Sequence, residues 1–394
     1  MTVESPRTDR ALGVRPTALR AAAPALLGYL AVRALGVLTL VVAGADRVGP
    51  GPGVHGTGGL HRLATLWDAY WYQQIALHGY AGTSPVAGPH GLYEPYAFFP
   101  AYPLLIRLVP LPVQWSALAV AWAAALAAAW GVYAVAARLY GQRAGVIAAA
   151  LWGVLPYAVV ENAAYSEPLF TALAAWSVHA AVRGRWIRAG LLCLLAGLSR
   201  PTGIALAAAV GAAALWELLH GRGGRRAVAG ALLAPLGFVG FVAWVGVRKE
   251  RWDGYFRVQD AWQSRFDYGR ATFRAFRLLL PRMLTAPELV PLADVVVAGV
   301  LVAGVVLFLL SVRQRQPPVL LLYSAALLVL ALGDAAYFNS RARFLLPAFG
   351  LLLPIAAPLA RTRHRTAVTV LLAAAAVLSA AYGFYAAFVY PDAP

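Results

Sequence analysis

Charged residues are scarce in this sequence. Only 12% of its 394 residues are Asp, Glu, Lys or Arg, which is about half the share found in a typical soluble domain. Hydrophobic residues make up 61% of the chain, and so few charges cannot keep that much apolar surface in water. Apolar runs of about 18 residues or more recur from end to end, each long enough to cross the hydrocarbon core of a membrane. The sequence therefore predicts an all-α, polytopic membrane protein.

Cysteine and metal-ligand patterns are also nearly absent. Cys193 is the only cysteine, which excludes a disulfide framework and a thiolate metal cluster. The seven histidines form no His-Glu-x-x-His motif or other tight pair, so the sequence predicts no metal site. No cofactor is indicated, and a dependence on divalent cations is left open.

Acidic residues are outnumbered by basic ones, 16 against 33, which gives a net charge of +17. An excess of this size can indicate nucleic-acid binding. The arginines, however, lie mainly in short loops between apolar runs, as at 183–185, 222–226 and 361–365. Short basic loops are typical of the cytoplasmic side of membrane proteins. The charge pattern therefore argues against nucleic acid as a partner, favours membrane lipids and places these loops in the cytoplasm.

We predict a single transmembrane domain over residues 1–394 with about eleven spans, the N-terminus in the cytoplasm and the C-terminus outside. The first apolar run, 21–45, is too long for the core of a signal peptide, so we expect it to be retained. Segment 187–198 would cover only about 18 Å and should end inside the protein beside a cavity. The spans are predicted near residues 18–45, 115–137, 144–160, 164–182, 187–198, 201–218, 227–247, 290–312, 318–333, 344–360 and 366–390.

Two segments that this topology places outside, 46–114 and 248–289, are too long to be simple connections. Both are rich in aromatic residues, which argues against disorder, and nearly all carboxylates of the chain lie outside as well. The second segment is dense in arginine and tryptophan. It either shapes a binding site or only covers a cavity.

The first outside segment contains the run LWDAYWYQQIALHGY at residues 66–80. As a short helix that ends at Gly79, this run places Asp68, Trp71 and Tyr72 on one face. A carboxylate held among aromatic rings at the membrane surface suits a general base. The alternative is an aspartate that caps a helix within an interfacial aromatic belt.

A second aromatic run, YEPYAFFPAYPLLIR, follows at residues 93–107. Its Phe-Phe-Pro and Tyr-Pro pairs favour a hook that dips into the membrane interface. Glu94 would then lie near the same cavity as Asp68, or else in a solvated loop.

These two runs resemble the signature of the PIG-V-type mannosyltransferases, the GPI mannosyltransferase 2 family. The segment NAAYSEPLF at 162–170 is similar to that family's Tyr-Ser-Glu segment, and LSRPTG at 198–203 is similar to its arginine motif. Leu66 and the pair Pro201-Thr202 depart from eukaryotic members, which often have histidine and Ser-Asn there. These departures concern the acceptor more than the type of reaction.

The resemblance implies a GT-C integral-membrane glycosyltransferase that takes a hexose, expected to be mannose, from a polyprenyl-phosphate-sugar donor. An outward-facing site also requires a lipid-linked donor, because nucleotide sugars are cytoplasmic. A phosphate leaves without protonation, so one base is needed and no general acid, unlike in a glycosidase. By the resemblance Asp68 is this base and the reaction inverts the anomeric centre. The implied acceptor is a glycolipid, glycan or polysaccharide on the outer face of the plasma membrane.

The donor phosphate requires cations outside but near the membrane. Arg200 lies just before a helix that is expected to start at Pro201, and a helix N-terminus beside a guanidinium suits an anion. The alternative for Arg200 is a loop arginine that snorkels to water. Arg341 and Arg343 belong to an arginine-aromatic run similar to one found late in GT-C chains. By the resemblance the other candidate substrate-binding residues are Trp67, Trp71, Tyr72, Glu94, Tyr165 and Glu167.

Two other functions are compatible with these features. A transporter or flippase of a lipid-linked sugar would carry charged residues deep within several spans, and Arg33 is the main candidate for such a residue. A non-catalytic subunit of an envelope complex would make Asp68 dispensable.

The predicted orientation can be tested with single cysteines in a Cys193→Ala background. Cysteines at positions 260 and 336 should react with an impermeant maleimide added to intact cells, whereas cysteines at 223 and 314 should be protected. The physical reason is the concentration of arginines in the loops that contain the protected positions. Labelling of position 223 from outside would contradict the inner placement of the 222–226 loop.

Overall fold

The structure is a computed structural model that describes residues 18–47, 58–88 and 90–391. Within these ranges the chain is predominantly helical, which confirms the predicted all-α class. The helices are α1 (Ala18–Ala43), α2 (Gly59–Thr65), α3 (Asp68–Gly82), α4 (Ala101–Leu108), α5 (Val113–Tyr140), α6 (Gln142–Gly153), α7 (Val159–Asn162), α8 (Glu167–Val182), α9 (Trp186–Gly197), α10 (Gly203–Leu219), α11 (Gly224–Leu233), α12 (Leu236–Arg248), α13 (Gly254–Ala261), α14 (Arg270–Thr285), α15 (Leu292–Arg313), α16 (Pro318–Gly333), α17 (Arg341–Phe344), α18 (Leu353–Arg361) and α19 (Arg365–Phe388).

Short elements complete the architecture. An antiparallel hairpin joins β1 (Val86–Gly88) to β2 (Gly91–Tyr93). Single turns of 3₁₀ helix lie at Pro95–Ala97, Pro156–Ala158, Pro287–Leu289, Phe338–Ser340 and Phe349–Leu352.

Five stretches of the described residues are long and apolar enough to cross a membrane as continuous helices: α1, α5, α11 with α12, α15 and α19. Two bent pairs raise this number to as many as seven, namely Gln142–Gly153 with Pro156–Asn162, bent by 77°, and Phe338–Phe344 with Phe349–Arg361, bent by 78°. The predicted count of eleven is therefore not confirmed. Several predicted spans correspond to the short helices α9, α10 and α16, which are apolar but have 12, 17 and 16 residues.

The helices pack around small side chains. α5 lies against α6 and α8 and buries a row of alanines, among them Ala117, Ala121, Ala125 and Ala128. α9 and α11 come so close that a Cβ atom on Gly190 would lie 2.5 Å from the carbonyl oxygen of Gly230. Such close approach of backbones is the usual way in which membrane helices gain packing energy.

The described residues of the two segments that were predicted to lie outside, 46–114 and 248–289, are largely helical. The first contains α2, α3, the hairpin and α4, and the second contains α13 and α14. α3 begins at Asp68, and its helical geometry breaks at Gly79, where φ is 69°, as the sequence predicted. The backbone N–H of Ala101, at the start of α4, donates to the carbonyl oxygen of Leu198, so the first outside segment is tied to the turn after α9.

Arg33 stabilises the break between α6 and α7. Its guanidinium donates to the carbonyl oxygen of Gly153, the last residue of α6, and to that of Ala158, which immediately precedes α7. It also lies 3.7 Å from a carboxylate oxygen of Glu161, whose other contact is a 2.8 Å hydrogen bond from the Tyr29 hydroxyl. Unsatisfied carbonyls are costly in a membrane, so this buried arginine has a structural role at the bend.

We expect Arg33→Met to lower the melting temperature of the protein in detergent. The change removes two donors from the bend and leaves Glu161 without its counter-ion, and breaking a buried ion pair costs about 3–5 kcal/mol. Leu38→Met, on the exposed side of the same helix, is the matched control and should change little. The double variant Arg33→Met/Glu161→Gln should recover part of the loss, and equal stability of Arg33→Met and the parent would contradict the role.

Candidate active site

Four separate parts of the chain enclose a cavity of about 460 Å³, here called the site cavity. The first outside segment supplies Asp68 and a set of aromatic residues, and the turn after α9 supplies Arg200. The second outside segment and the residues after α16 complete the wall. The lining residues are Trp67, Asp68, Tyr70, Trp71, Tyr72, Val86, Tyr93, Ala97, Phe98, Phe99, Arg200, Pro201, Gln259, Trp262, Ser264, Asp334, Ala336, Tyr337, Ser340, Arg343 and Phe344.

Asp68 is the first residue of α3, and its side chain is 19% exposed at the cavity wall. The preceding residue, Trp67, has φ 34°, a value that is unusual for a bulky side chain. This sharp turn leads the chain directly from α2 into α3. The carboxylate of Asp68 accepts a 3.0 Å hydrogen bond from Nη1 of Arg343, a partner that the local sequence around Asp68 did not indicate.

Asp68 is one end of a line of four alternating charges, which we call the ion chain: Asp68, Arg343, Glu167 and Arg200. Nε of Arg343 lies 3.3 Å from Oε1 of Glu167, and Nη1 of Arg200 lies 2.7 Å from Oε2 of the same residue. The side chains of Arg343, Glu167 and Arg200 are 9%, 2% and 8% exposed. Ion pairs this well buried are screened much less by salt than surface pairs, so the four groups act together.

A hydroxyl pair continues the line beyond Arg200. Nη1 of Arg200 donates to Oγ of Ser166 at 3.0 Å, and Oγ of Ser166 lies 2.6 Å from the hydroxyl of Tyr72. Burial raises the pKa of Tyr72 above its ordinary value. Tyr72 therefore stays neutral and serves as a hydrogen-bonding group.

The structure brings most of the predicted site residues together. Trp67, Asp68, Trp71, Tyr72, Arg200 and Arg343 line the site cavity. Glu167 lies behind the wall, between the two arginines. Tyr165 is fully buried, with the guanidinium carbon of Arg343 5.3 Å from its ring centroid. Tyr165 and Glu167 are therefore placed to hold Arg343 rather than to line the cavity.

Two predicted residues lie elsewhere. Glu94 forms an ion pair with Lys249, whose ammonium group also lies 4.9 Å from the ring centroid of Tyr96. This pair joins the two outside segments and does not line the site cavity. Arg341 is 1% exposed and donates to Oγ1 of Thr272 and, at 2.5 Å, to the carbonyl oxygen of Asp334. Arg341 therefore does not line the site cavity but supports Asp334, which lies at the edge of the cavity.

The sequence did not identify the residues that the second outside segment contributes. Trp262 stacks on Tyr93 with ring centroids 4.2 Å apart and an interplanar angle of 23°. It also meets Trp71 and Phe98 edge-on. The density of tryptophan and arginine in 248–289 was the sequence feature that pointed to this segment. In the structure its residues Gln259, Trp262 and Ser264 form part of the cavity wall.

The rim is closed by main-chain pairing between the second outside segment and the residues after α16. The N–H of Asp267 donates to the carbonyl oxygen of Gly333, and the N–H of Ala335 donates to that of Arg265, both at 2.8 Å. Asp334, between these contacts, is a second carboxyl group at the cavity wall. Burial raises the pKa of Asp334 to about 6, although hydrogen bonds from the backbone and the charge of Arg341 act in the opposite direction.

A second cavity, of about 390 Å³, is lined almost entirely by apolar residues of α15, the α6–α7 bend and the 342–352 segment. We call it the apolar cavity. Ala342 lines it, whereas the next residue, Arg343, lines the site cavity. The short helix α17 therefore separates a charged cavity from an apolar one.

Among the described residues, no group of three or more His, Cys, Asp or Glu side chains is placed to hold a metal ion. The two acidic residues of the ion chain contact arginines instead.

Stability should fall as the pH rises from about 4 to 6, because of Asp334. The folded protein keeps this proton up to about pH 6, whereas an unfolded aspartate loses it near pH 4, so the folded state binds more protons in this window. The expected loss is on the order of 1–3 kcal/mol. Unfolding curves of Asp334→Asn and the parent across pH 4–7 should diverge with rising pH, in favour of the variant.

Asp260→Asn is the matched control, since its side chain is 50% exposed in the neighbouring α13. It should leave the pH dependence unchanged. Parallel curves for Asp334→Asn and the parent would contradict the burial of a protonated carboxyl at this position.

No protein-family model and no curated protein matches this sequence. Solved structures do. ArnT from Cupriavidus metallidurans bound to undecaprenyl phosphate has a TM-score of 0.54 and 16% identity, over 91% of this chain and 64% of that one. The oligosaccharyltransferase of Archaeoglobus fulgidus in the apo form has a TM-score of 0.53 and 14% identity, over 96% of this chain and 57% of that one. The same enzyme tethered with an acceptor peptide has a TM-score of 0.50 and 15% identity.

The chain spans 64% and 57% of the lengths of these two proteins. Identities this low show the fold alone, and the finer resemblance to the PIG-V-type family stays a prediction. The apolar helices of this chain, together with these structural neighbours, identify it as an integral membrane protein. The chain shares its helical membrane fold with these two proteins, which agrees with the GT-C-like fold that the sequence predicted.

Proposed function

We propose that this protein is a glycosyltransferase that moves a hexose from a polyprenyl-phosphate-sugar donor to an acceptor hydroxyl. The observation that supports this most is the ion chain, which brings one carboxylate and two arginines to the wall of a single cavity. The apolar cavity on the other side of α17 suits the lipid chain of such a donor. A structural neighbour that binds undecaprenyl phosphate supports the same class of ligand.

The arginines would bind the phosphate. As the bond between the anomeric carbon and the phosphate oxygen breaks, the phosphodiester monoanion becomes a monoester dianion. Arg343 and Arg200 are well placed to stabilise this added charge in a poorly solvated site, where fixed cations are most effective. Both are already fixed by Glu167, so little reorganisation is needed when the charge develops.

Asp68 would be the base. The acceptor oxygen attacks the anomeric carbon from the face opposite the phosphate, its proton passes to a carboxylate oxygen of Asp68, and the anomeric configuration inverts. In this structure Arg343 contacts both Asp68 and Glu167. A donor phosphate would compete with Asp68 for Arg343, which would free the carboxylate for the acceptor only once the donor is bound.

The sugar and the acceptor are inferred from separate observations. Mannose as the sugar rests on the sequence resemblance to the PIG-V-type family. The stacked pair Tyr93 and Trp262, together with Gln259 and Ser264, gives the cavity the mixture of ring faces and hydrogen-bonding groups that a glycolipid, glycan or polysaccharide acceptor requires. The outward orientation of the site rests on the distribution of arginines.

The transporter alternative has lost its main candidate residue. Arg33 is occupied by the carbonyls of the α6–α7 break and by Glu161, a local structural role. Arg33 and Glu161 therefore give no separate support to transport.

The test uses purified protein with radiolabelled polyprenyl-phosphate-mannose and a panel of acceptors. Asp68→Asn is nearly isosteric but cannot accept the proton, so transfer should fall by about two to four decades. Binding of undecaprenyl phosphate, which carries the lipid and phosphate but no sugar, should persist in this variant. Asp334→Asn, which changes the other carboxyl of the same cavity, is the matched control and should retain most of the transfer activity.

Arg200→Gln is the complementary variant. Loss of a charge-assisted hydrogen bond costs about 1.5–3 kcal/mol, so affinity for undecaprenyl phosphate should fall by about one to two decades. Arg200→Lys should recover part of this affinity, because lysine keeps the charge but not the planar geometry.

Normal transfer by Asp68→Asn would refute the catalytic assignment and favour a non-catalytic subunit.

A further inference from the structure

α14 carries an exposed surface that the proposed reaction does not use. Three of its four arginines, Arg270, Arg274 and Arg277, are spaced by four and three residues, so they form one stripe along the helix. All three are exposed. The opposite face, which includes Thr272 and Leu279, is buried against the protein. The arginine stripe therefore faces away from the rest of the molecule.

A second stripe, of large apolar side chains, runs beside the arginines. Phe273, Leu280 and Leu284 are spaced by seven and four residues and share one side of the helix. Their exposed fractions are 72%, 59% and 86%. Soluble proteins rarely expose such a row without a partner, and its position beside an arginine stripe is typical of helices that lie in a membrane surface.

The charge of this surface indicates what the partner is. The sequence of α14 contains no acidic residue, and Arg270, Arg274 and Arg277 form no salt bridge with a carboxylate in the part of the chain that the structure describes. Arg270, Arg274 and Arg277 are thus free to bind anions outside the protein. Phosphate groups of lipids are the anions that lie next to an apolar layer.

The position of α14 in the chain places it near the membrane. Six residues separate its end, Thr285, from Leu292, where α15 begins. α15 is highly apolar, and only 22% of its most apolar window is buried in the protein, so it faces lipid. The connection includes Leu289, which is 76% exposed. The exposed apolar surface therefore continues from α14 to the lipid-facing span.

We propose that α14 lies in the membrane surface and binds the headgroups of anionic phospholipids through Arg270, Arg274 and Arg277. Phe273, Leu280 and Leu284 enter the interface beside them. This inference is independent of the proposed transfer reaction.

Thr272 links α14 to the wall of the site cavity. The hydroxyl of Thr272 donates to the carbonyl oxygen of Leu332 and accepts from Arg341, which in turn holds the carbonyl of Asp334. Docking of α14 on lipid would therefore fix the height of the cavity rim above the membrane.

The test places a fluorophore at Leu280→Cys in a Cys193→Ala background, with the full chain in lipid nanodiscs. A small fraction of spin-labelled lipid, with the nitroxide near the headgroup, serves as the quencher. Both phosphatidylcholine and phosphatidylglycerol quenchers should reduce the fluorescence, because position 280 lies in the interface. Phosphatidylglycerol should act as if enriched about fivefold, which is roughly the effect of one arginine near an anionic surface, and high salt should abolish the difference.

The variant R270Q/R274Q/R277Q should lose the preference for phosphatidylglycerol while phosphatidylcholine still quenches, which also shows that the helix is folded and in place. R270K/R274K/R277K should keep the preference because it keeps the charge. R222Q/R225Q/R226Q removes three charges from another exposed basic segment and should have no effect.

Equal quenching by the two lipids, or an unchanged preference in R270Q/R274Q/R277Q, would overturn the headgroup assignment. Absence of quenching by either lipid would show that α14 faces water. The arginine stripe would then belong to a soluble anionic partner such as a polysaccharide, and the proposal would be wrong.

Discussion

The site depends on one buried glutamate held between two arginines. Glu167 is the first residue of α8, where a negative charge is favoured by the helix dipole, and Pro168 supports the first turn. Arg200 comes from the turn after α9 and Arg343 from α17, so the carboxylate joins three helix ends. Without it, two poorly solvated guanidinium groups would face each other with Asp68 as their remaining partner in the ion chain. Such an arrangement is strongly unfavourable.

This dependence explains how a site can be assembled from helix ends rather than from one rigid element. α8, α9 and α17 each end or begin at the cavity, and none of them extends across it. Helix ends at membrane depth expose backbone groups that need partners. The same arginines and carboxylates that suit phosphate chemistry also satisfy the electrostatic needs of these ends, so structure and proposed function rely on the same few side chains.

The sequence predicted much of the fold because its signals were local. Apolar runs gave the membrane class, and Gly79 gave the end of the first turns of α3. The helix breaks were harder to predict, since hydropathy finds apolar stretches but not the points at which they bend. Pro156 was visible in the sequence, but the partner that makes the bend tolerable, Arg33, lies more than a hundred residues away.

Side-chain partners across distant segments were the part that the sequence could not supply. The resemblance assigned Asp68 and several arginines to the same site, but it could not show that Arg343 is the ion-pair partner of Asp68. Arg341 and Arg343 are two residues apart in a short helix, about 200° around its axis, so one reaches the cavity and the other the rim. The order of the two arginines in the sequence does not indicate which of them faces the cavity. Glu94 was likewise recognisable as a loop carboxylate, but its ion pair with Lys249 depends on how the two outside segments fold together.

The single-residue step from Ala342 to Arg343, between the apolar cavity and the site cavity, makes α17 sensitive to register. Each residue advances a helix by about 100°, so a one-residue insertion ahead of Arg343 would turn the guanidinium away from Asp68 and present another side chain to the ion chain. Chains that diverge from this one could therefore vary widely in the length of their loops while α17 tolerates neither insertion nor deletion. The geometry of the four residues of the ion chain would then limit how far such sequences can diverge.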